Sequence, residues 1–109
     1  MSKLKPIHPG QILKEEFLIP SQISQAELAR RMGVSLRRIN DICQGKRGIT
    51  FETAYLLAGC FRMGKDGYQF WINLQQRYEQ EIWKDYLITH SRNLQQRINP
   101  LPSSYLKEI

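Results

Sequence analysis

Residues 25–44, QAELARRMGVSLRRINDICQ, determine which fold the chain adopts. Two short helices that cross at a steep angle need a small residue where their axes meet and a glycine in the turn between them. Ala29 and Gly33 meet these two requirements. The apolar contacts that would fix the crossing angle come from Leu28, Val34, Ile39 and Ile42. The spacing therefore predicts a helix-turn-helix.

The residues before this motif predict where the first helix ends and where the second begins. Apolar residues recur three and four positions apart along most of the chain, which predicts an all-α fold. We expect a first helix from Pro9 to about Leu18, ended by Pro20 because proline cannot continue a helix. Ser24 then begins the second helix, and Glu27 three residues later completes a capping box with it.

Three more helices follow. Ser35 can cap a helix over about Leu36 to Gln44, and Thr50 a helix over 51–61. A fifth helix is expected over about 66–86 or beyond. The predicted inward-facing residues of the first four helices are Ile12, Leu13, Phe17, Leu28, Ala29, Met32, Ile39, Ile42, Ala54, Leu57, Ala58 and Phe61.

The length of 109 residues suits one domain and is too short for two. We predict a helix-turn-helix domain over residues 7–86 and a C-terminal extension over 87–109. Prolines at 100 and 102 interrupt any regular pattern in the extension. We expect it to be helical to about Arg97 and loosely held after that.

The positive charge is concentrated in one part of the chain. The net charge is +6. Residues 30–47 hold six arginines and lysines against one acid, Asp41, and so carry a net +5. Such a local excess indicates a surface that binds a polyanion.

The third helix presents a polar ridge if Ile39 and Ile42 face inward. In a helix-turn-helix this helix lies in the major groove, where arginine bonds guanine and asparagine or glutamine bonds adenine. We predict Arg37, Asn40 and Gln44 as base readers and Leu36 as a contact to the thymine methyl. Asp41 either accepts from a cytosine amino group or orients a neighbouring arginine.

Other residues near this ridge are suited to the DNA backbone, which positions a protein without reading sequence. Helix N-termini, with their free N–H groups, are natural phosphate sites. Arg38 lies at the edge of the ridge, and Gly45 should end the helix before a basic loop. The predicted phosphate contacts are Gln25, Ser35, Arg38, Lys46 and Arg47.

A helix-turn-helix protein that reads a palindromic DNA site must be a dimer, because two recognition helices then have to reach major grooves roughly 34 Å apart. The fifth helix has more aromatic surface than one small core needs. We predict the dimer interface around Phe70, Trp71, Leu74 and Tyr78.

The sequence argues against several other classes of protein. No apolar run approaches the roughly 20 residues of a membrane helix, and the N-terminus does not resemble a secretory signal, so we expect a cytoplasmic protein. Cys43 and Cys60 lie in apolar helical patterns and are not at metal-ligand spacing, so we expect two small buried thiols and no metal. No cofactor is expected either. His8 and His90 lie far apart and neighbour no nucleophile motif, so an enzyme is not expected. His8 should instead cap the first helix or pack against it.

Three stretches carry a family resemblance: HPGQILKEEFLIP at 8–20, SQAELARRMGVSLRRINDICQGKRGIT at 24–50 and FWINLQQRY at 70–78. In this order they resemble the HigA antitoxins, also labelled VapI-like, within the phage-repressor-type helix-turn-helix proteins. The similarity covers about residues 7–78. One departure is Gln22, which stands where many relatives have glycine and could alter the preceding turn.

The resemblance implies a five-helix, lambda-repressor-like domain that dimerises and represses its own operon at a palindromic operator. It also implies neutralisation of an mRNA-cleaving toxin of the HigB/RelE type. The N-terminal segment and residues 79–109 are both open as the toxin-binding region. A stand-alone repressor with no toxin partner would use the same residues, and a protein-binding module with a vestigial basic face is a further alternative.

Overall fold

The computed structural model describes residues 5–106, which contain five helices, one short 3₁₀ turn and no strand. This confirms the all-α prediction. Residues 1–4, which bear on the expected absence of a signal, and residues 107–109 of the predicted extension lie outside this range. The elements are α1 (Pro9–Ile12, Leu13–Leu18 and Ile19–Ser21, continuous), α2 (Gln25–Met32), α3 (Leu36–Cys43), α4 (Phe51–Cys60), α5 (Tyr68–Arg97) and the 3₁₀ turn Ser103–Tyr105.

The caps of α2, α3 and α4 are the predicted ones. The Ser24 hydroxyl accepts from the amide of Glu27 at 3.0 Å, and the Ser35 hydroxyl accepts from the amide of Arg38 at 3.1 Å. Thr50 does the same for α4, with 3.2 Å between its hydroxyl and the amide of Thr53. Each hydroxyl satisfies one of the free N–H groups of a helix start.

The predicted capping box also requires the Glu27 side chain to accept from the backbone amide of Ser24, and this part of the prediction is wrong. In the described structure the carboxylate of Glu27 accepts from Arg30 at 3.3 Å and from Arg31 at 3.0 Å. Residues three and four positions apart are neighbours on a helix, and a charged guanidinium is a stronger donor than a backbone amide. The glutamate therefore supports the body of α2 instead of its N-terminus.

Pro20 does not end α1, contrary to our prediction. The turns before it, Leu13–Leu18, are π-helical, and the amide of Ile19 bonds the carbonyl of Lys14, five residues back. A π segment is wider than an α-helix, which relieves the clash between a proline ring and the carbonyl one turn earlier. The helix continues to Ser21 for this reason.

Gln22 ends α1 in the left-handed conformation, with a φ of 58°. Glycine reaches this region without steric cost, whereas other residues pay about 1–2 kcal/mol there. The turn is thus formed without a glycine, with some strain in its backbone.

The core lies where α1 to α4 meet the start of α5. The predicted inward residues are buried or half-buried, with Leu13, Leu28, Ile39, Ile42 and Leu57 completely enclosed. The other buried apolar residues of the core are Leu18, Ile49, Trp71 and Ile72. The predicted core is confirmed.

Helix α5 is the predicted fifth helix continued to Arg97, the residue to which we expected the extension to be helical. It has 30 residues, or about 45 Å at 1.5 Å per residue. Only Trp71 and Ile72, near its start, are buried. The radius of gyration is 18.8 Å, against about 13 Å for a compact domain of this size. The predicted division between residues 86 and 87 falls inside this helix, so it does not coincide with an element boundary.

Candidate DNA-binding interface

The turn between α2 and α3 is formed around Gly33. Its φ is 70°, as expected for a glycine at a helix C-terminus. Its amide bonds the carbonyl of Arg30 at 3.3 Å, and the amide of Val34 bonds that of Ala29 at 3.0 Å. These bonds close α2 and direct the chain into Ser35, the cap of α3.

Helix α3 is held against the body by two isoleucines and by a close backbone contact. Ile39 and Ile42 have no exposed surface. A Cβ on Gly10 would lie 1.7 Å from the carbonyl oxygen of Ile42, so α1 touches the backbone of α3 directly. Sequence reasoning missed this contact, although a glycine beside a helix-starting proline was its signal.

The opposite side of α3 carries the predicted ridge. Leu36, Arg37 and Gln44 are exposed, and the side chain of Arg37 is 89% exposed. Asn40 and Asp41 are half-buried, less exposed than predicted because they lie nearer the flank of the helix. The carboxylate of Asp41 lies 3.8 Å from the Arg37 guanidinium. Of the two roles considered for Asp41, this geometry favours orienting the arginine.

The predicted phosphate contacts at helix starts differ in availability. Ser35 is exposed, with its hydroxyl engaged by the amide of Arg38. Gln25 is half-buried at the first position of α2. Arg38 is also half-buried, and its guanidinium lies 3.3 Å from the carboxylate of Glu52 in the first turn of α4.

The loop after α3 turns back on the end of that helix and carries two basic side chains. Gly45 has a φ of 76°, and the amides of Lys46 and Arg47 bond the carbonyl of Asp41 at 2.8 and 3.3 Å. Both side chains are exposed, and no carboxylate of residues 5–106 lies within ion-pair distance of either. Two cations are thereby held beside the C-terminal end of α3.

His8 supports this loop and the start of α1 together. Its Nδ1 accepts from the amide of Gly10 at 2.9 Å, which confirms the predicted cap. Its ring meets the Tyr78 ring edge-on at 4.8 Å. Burial lowers the pKa of His8 below its ordinary value, partly opposed by a hydrogen bond to the backbone of Arg47. The neutral imidazole therefore joins α1, α5 and the basic loop.

Gln75 fixes the far end of the same loop and was not predicted. Its side-chain oxygen accepts from the amide of Ile49 at 2.8 Å, and its nitrogen donates to Glu79 at 3.0 Å. A Cβ on Gly48 would lie 2.7 Å from that nitrogen, so the glycine makes room for the clamp. One glutamine among several in α5 gives no sequence signal that would single it out.

One predicted dimer residue has a different place in the structure. Trp71 is fully buried, and its indole N–H lies 3.3 Å from the sulfur of Met63. It belongs to the core of its own chain, so its assignment to a dimer interface is wrong. Phe70 is 40% exposed, and Leu74 and Tyr78 are half-buried.

The side chains of residues 5–106 include no group of three or more histidine, cysteine or acidic residues arranged to hold a metal ion. Among the helices described, none combines the length and apolar character that crossing a membrane requires.

Helix α3 is packed against the body, its polar ridge is exposed, and a basic loop lies beside it. These features define a DNA-binding protein of the helix-turn-helix class. Consistent with this, residues 13–66 match the helix-turn-helix family model. The chain is 44% identical over 78 residues to virulence-associated protein I of Dichelobacter nodosus, covering 72% of this chain and 69% of the relative. It is 32% identical over 82 residues to antitoxin HigA-1 of Vibrio cholerae, covering 75% and 72%.

A solved structure extends this similarity to the whole fold. The Pseudomonas aeruginosa antitoxin HigA with the higBA promoter is 38% identical, with a TM-score of 0.70, over 90% of this chain and 100% of that one. The chain belongs to the HigA family of helix-turn-helix antitoxins.

Proposed function

We propose that the protein binds a specific DNA sequence by placing α3 in the major groove. The observation that carries this proposal is the orientation of α3, whose isoleucines are buried while Arg37 and Gln44 point outward. In this position arginine suits guanine, and amides suit adenine. The proposed base contacts are Leu36, Arg37, Asn40 and Gln44, and Asp41 holds Arg37 in place instead of contacting a base itself.

The backbone contacts would come from both ends of the motif. Gln25, Ser35 and Arg38 lie at the starts of α2 and α3, and Lys46 and Arg47 lie beyond the end of α3. Cations on both sides of the recognition helix would engage phosphates on both sides of the groove. Such contacts set affinity and register, whereas the ridge sets sequence preference.

We also propose that the protein is a homodimer on a palindromic operator. The apolar side chains of α5 support this. Phe70 is exposed and Leu74 and Tyr78 are half-buried in the first three turns of the helix, and Ile82, Trp83 and Tyr86 are exposed further along it. Trp83 stacks on Tyr86 with 5.3 Å between ring centres, which leaves a flat aromatic surface open to solvent. Exposed apolar surface of this kind marks interaction sites.

The cellular role proposed is that of an antitoxin. The relatives named HigA and the HigA structure with its promoter support repression of the protein's own operon and neutralisation of a HigB/RelE-like, mRNA-cleaving toxin. This role places the protein in the cytoplasm, where bacterial promoters are. A short basic toxin gene next to its own gene, whose growth arrest is relieved by co-expressing this protein, is the expected finding. Without such a neighbour, the stand-alone repressor is the correct assignment.

DNA binding itself is tested by fluorescence anisotropy. A labelled duplex from the region upstream of the gene is titrated from about 50 to about 200 mM salt, over which the log–log slope is about −0.9 per phosphate neutralised. We expect tight binding at low salt with a steep decline, and weaker binding to a scrambled duplex of equal length. An affinity that hardly changes with salt would contradict the proposal.

A further inference from the structure

An ion pair at the edge of the ridge joins the recognition helix to the next helix. Arg38, in the first turn of α3, lies 3.3 Å from the carboxylate of Glu52, in the first turn of α4. The side chain of Glu52 is 73% exposed, so its negative charge stays in water. A second carboxylate, besides that of Asp41, thus lies at the border of a surface that carries an excess of cations.

This pair is poorly suited to stabilising the fold. Exposed ion pairs contribute little to stability, because water already solvates both charges. The start of α4 has its own cap in Thr50, and Ile39 and Ile42 hold α3 without help from Arg38. The helix dipole favours an acid in the first turn of α4, which accounts for the negative charge of Glu52 but not for its pairing with the edge of the ridge.

The pair has two consequences for a DNA backbone near α3. While Arg38 is paired with Glu52, its guanidinium is directed toward α4 and is less available to phosphates elsewhere around α3. Glu52 also repels phosphates, with an energy that falls as the inverse of distance. Both effects oppose complexes held by phosphate contacts alone, in which the protein takes any register along the duplex. In a sequence-specific complex, by contrast, base contacts fix the register, and a phosphate can then lie within reach of the paired Arg38.

Resting on the DNA-binding function proposed above, we propose that Glu52 is a specificity-determining residue that suppresses sequence-independent binding. It acts through Arg38 and through its own charge, without contacting a base. Replacing it with glutamine removes the charge and keeps the shape of the side chain. The released Arg38 can then follow phosphates in any register.

The test compares wild-type protein and Glu52→Gln on two duplexes, the fragment upstream of the gene and a random sequence of equal length. We expect affinity for the random duplex to rise about threefold to tenfold, with the salt slope steeper by about 0.9. Affinity for the upstream fragment should rise less, so the ratio between the two duplexes falls. An equal gain on both duplexes, no gain, or a loss on the random duplex would each overturn the proposal.

Two controls separate this effect from general charge and from folding. Glu16→Gln makes the same charge change on α1, at an exposed carboxylate, and should leave the ratio unchanged. In an Arg38→Ala background, Glu52→Gln should change the ratio less than it does alone. If the wild-type protein shows no salt-dependent binding, the DNA-binding function itself fails. If wild type binds as expected and Glu52→Gln does not change the ratio, only the role of Glu52 fails.

Discussion

The beginning and the end of α5 have opposite surroundings. Residues 68–78 lie against the core, and Trp71 is completely enclosed there. Residues 79–97, which we call the arm, contain no buried residue, and Trp83 is 51% exposed. Ring stacks in the arm join near neighbours on the same helix, as between Tyr86 and His90 with centres 3.9 Å apart.

This difference separates two kinds of stability. The body buries apolar side chains from all five helices, and such burial dominates the free energy of folding. The aromatic rings of the arm contact near neighbours on the same helix, and such contacts are each worth only about 0.2–0.5 kcal/mol. The exposed aromatic side chains of the arm would be buried further by contact with another molecule.

The two tryptophans of α5 test this contrast with the largest expected effect. Trp71→Ala should lower the free energy of unfolding by about 3–5 kcal/mol, because it leaves a large cavity. Trp83→Ala should change it by only about 0.5 kcal/mol, as is usual for exposed positions. Urea unfolding followed by circular dichroism, at concentrations low enough to dissociate dimers, measures both.

Similar losses for the two variants would show that the arm is part of the folded body. At high protein concentration, Trp83→Ala should in addition weaken self-association, which sedimentation equilibrium detects. Unchanged self-association would remove the arm from the proposed dimer interface.

Two glycines sharpen the comparison within the body itself. Gly10→Ala forces a methyl group into the carbonyl of Ile42 and should cost about 1–3 kcal/mol, the usual range for overpacking. A Cβ on Gly59, in α4, would have no neighbouring atom within 4 Å, so Gly59→Ala should be neutral or slightly stabilising. Thermal unfolding compares the two. A harmless Gly10→Ala would mean that α1 and α3 are further apart than described.

A smaller effect is expected from pH, at the joint between the body and α5. Burial lowers the pKa of His8, so the unfolded chain takes up this proton more readily than the folded one. The contribution of neutral His8 is complete above its ordinary pKa of about 6.5 and is lost as the pH falls through that value and below. The proton would also displace the Gly10 amide from Nδ1.

His8→Asn is the matched variant, since asparagine can cap a helix and does not titrate in this range. The difference in unfolding free energy between wild type and His8→Asn should shrink or reverse as the pH falls from 8 toward 5, a range that spans about 6.5. A difference that does not vary with pH would mean that His8 titrates alike in the folded and unfolded chain.

The helices of the body and of the arm were more predictable from the sequence than the contacts between helices. Local sequence was sufficient to identify Ser24, Ser35 and Thr50 as helix caps, because a cap depends on a side chain and an amide three residues away. Periodicity was sufficient to predict that Ile39 and Ile42 are buried, because helical geometry alone separates the two faces of α3.

What the sequence did not show depends on residues far apart in the chain. Gln75 bonds Ile49 across 26 positions, and Gly10 fits against Ile42 only in the assembled fold. The continuation of α1 through Pro20 depends on a π-helical segment, and no residue type in that segment predicts π-helical geometry. Trp71 was misplaced because an aromatic stripe has the same spacing whether it faces a core or a partner.

The central claim is that α3 reads bases while the loop after it grips the backbone, and it is tested most directly by comparing Arg37→Ala with Lys46→Ala. Each is titrated against the upstream duplex, single-base variants of it and a random duplex. Arg37→Ala should cost about 1–3 kcal/mol on the upstream duplex and relax the preference at one base pair. Lys46→Ala should weaken binding to all duplexes alike. Equal losses from both variants on every duplex would contradict the claim.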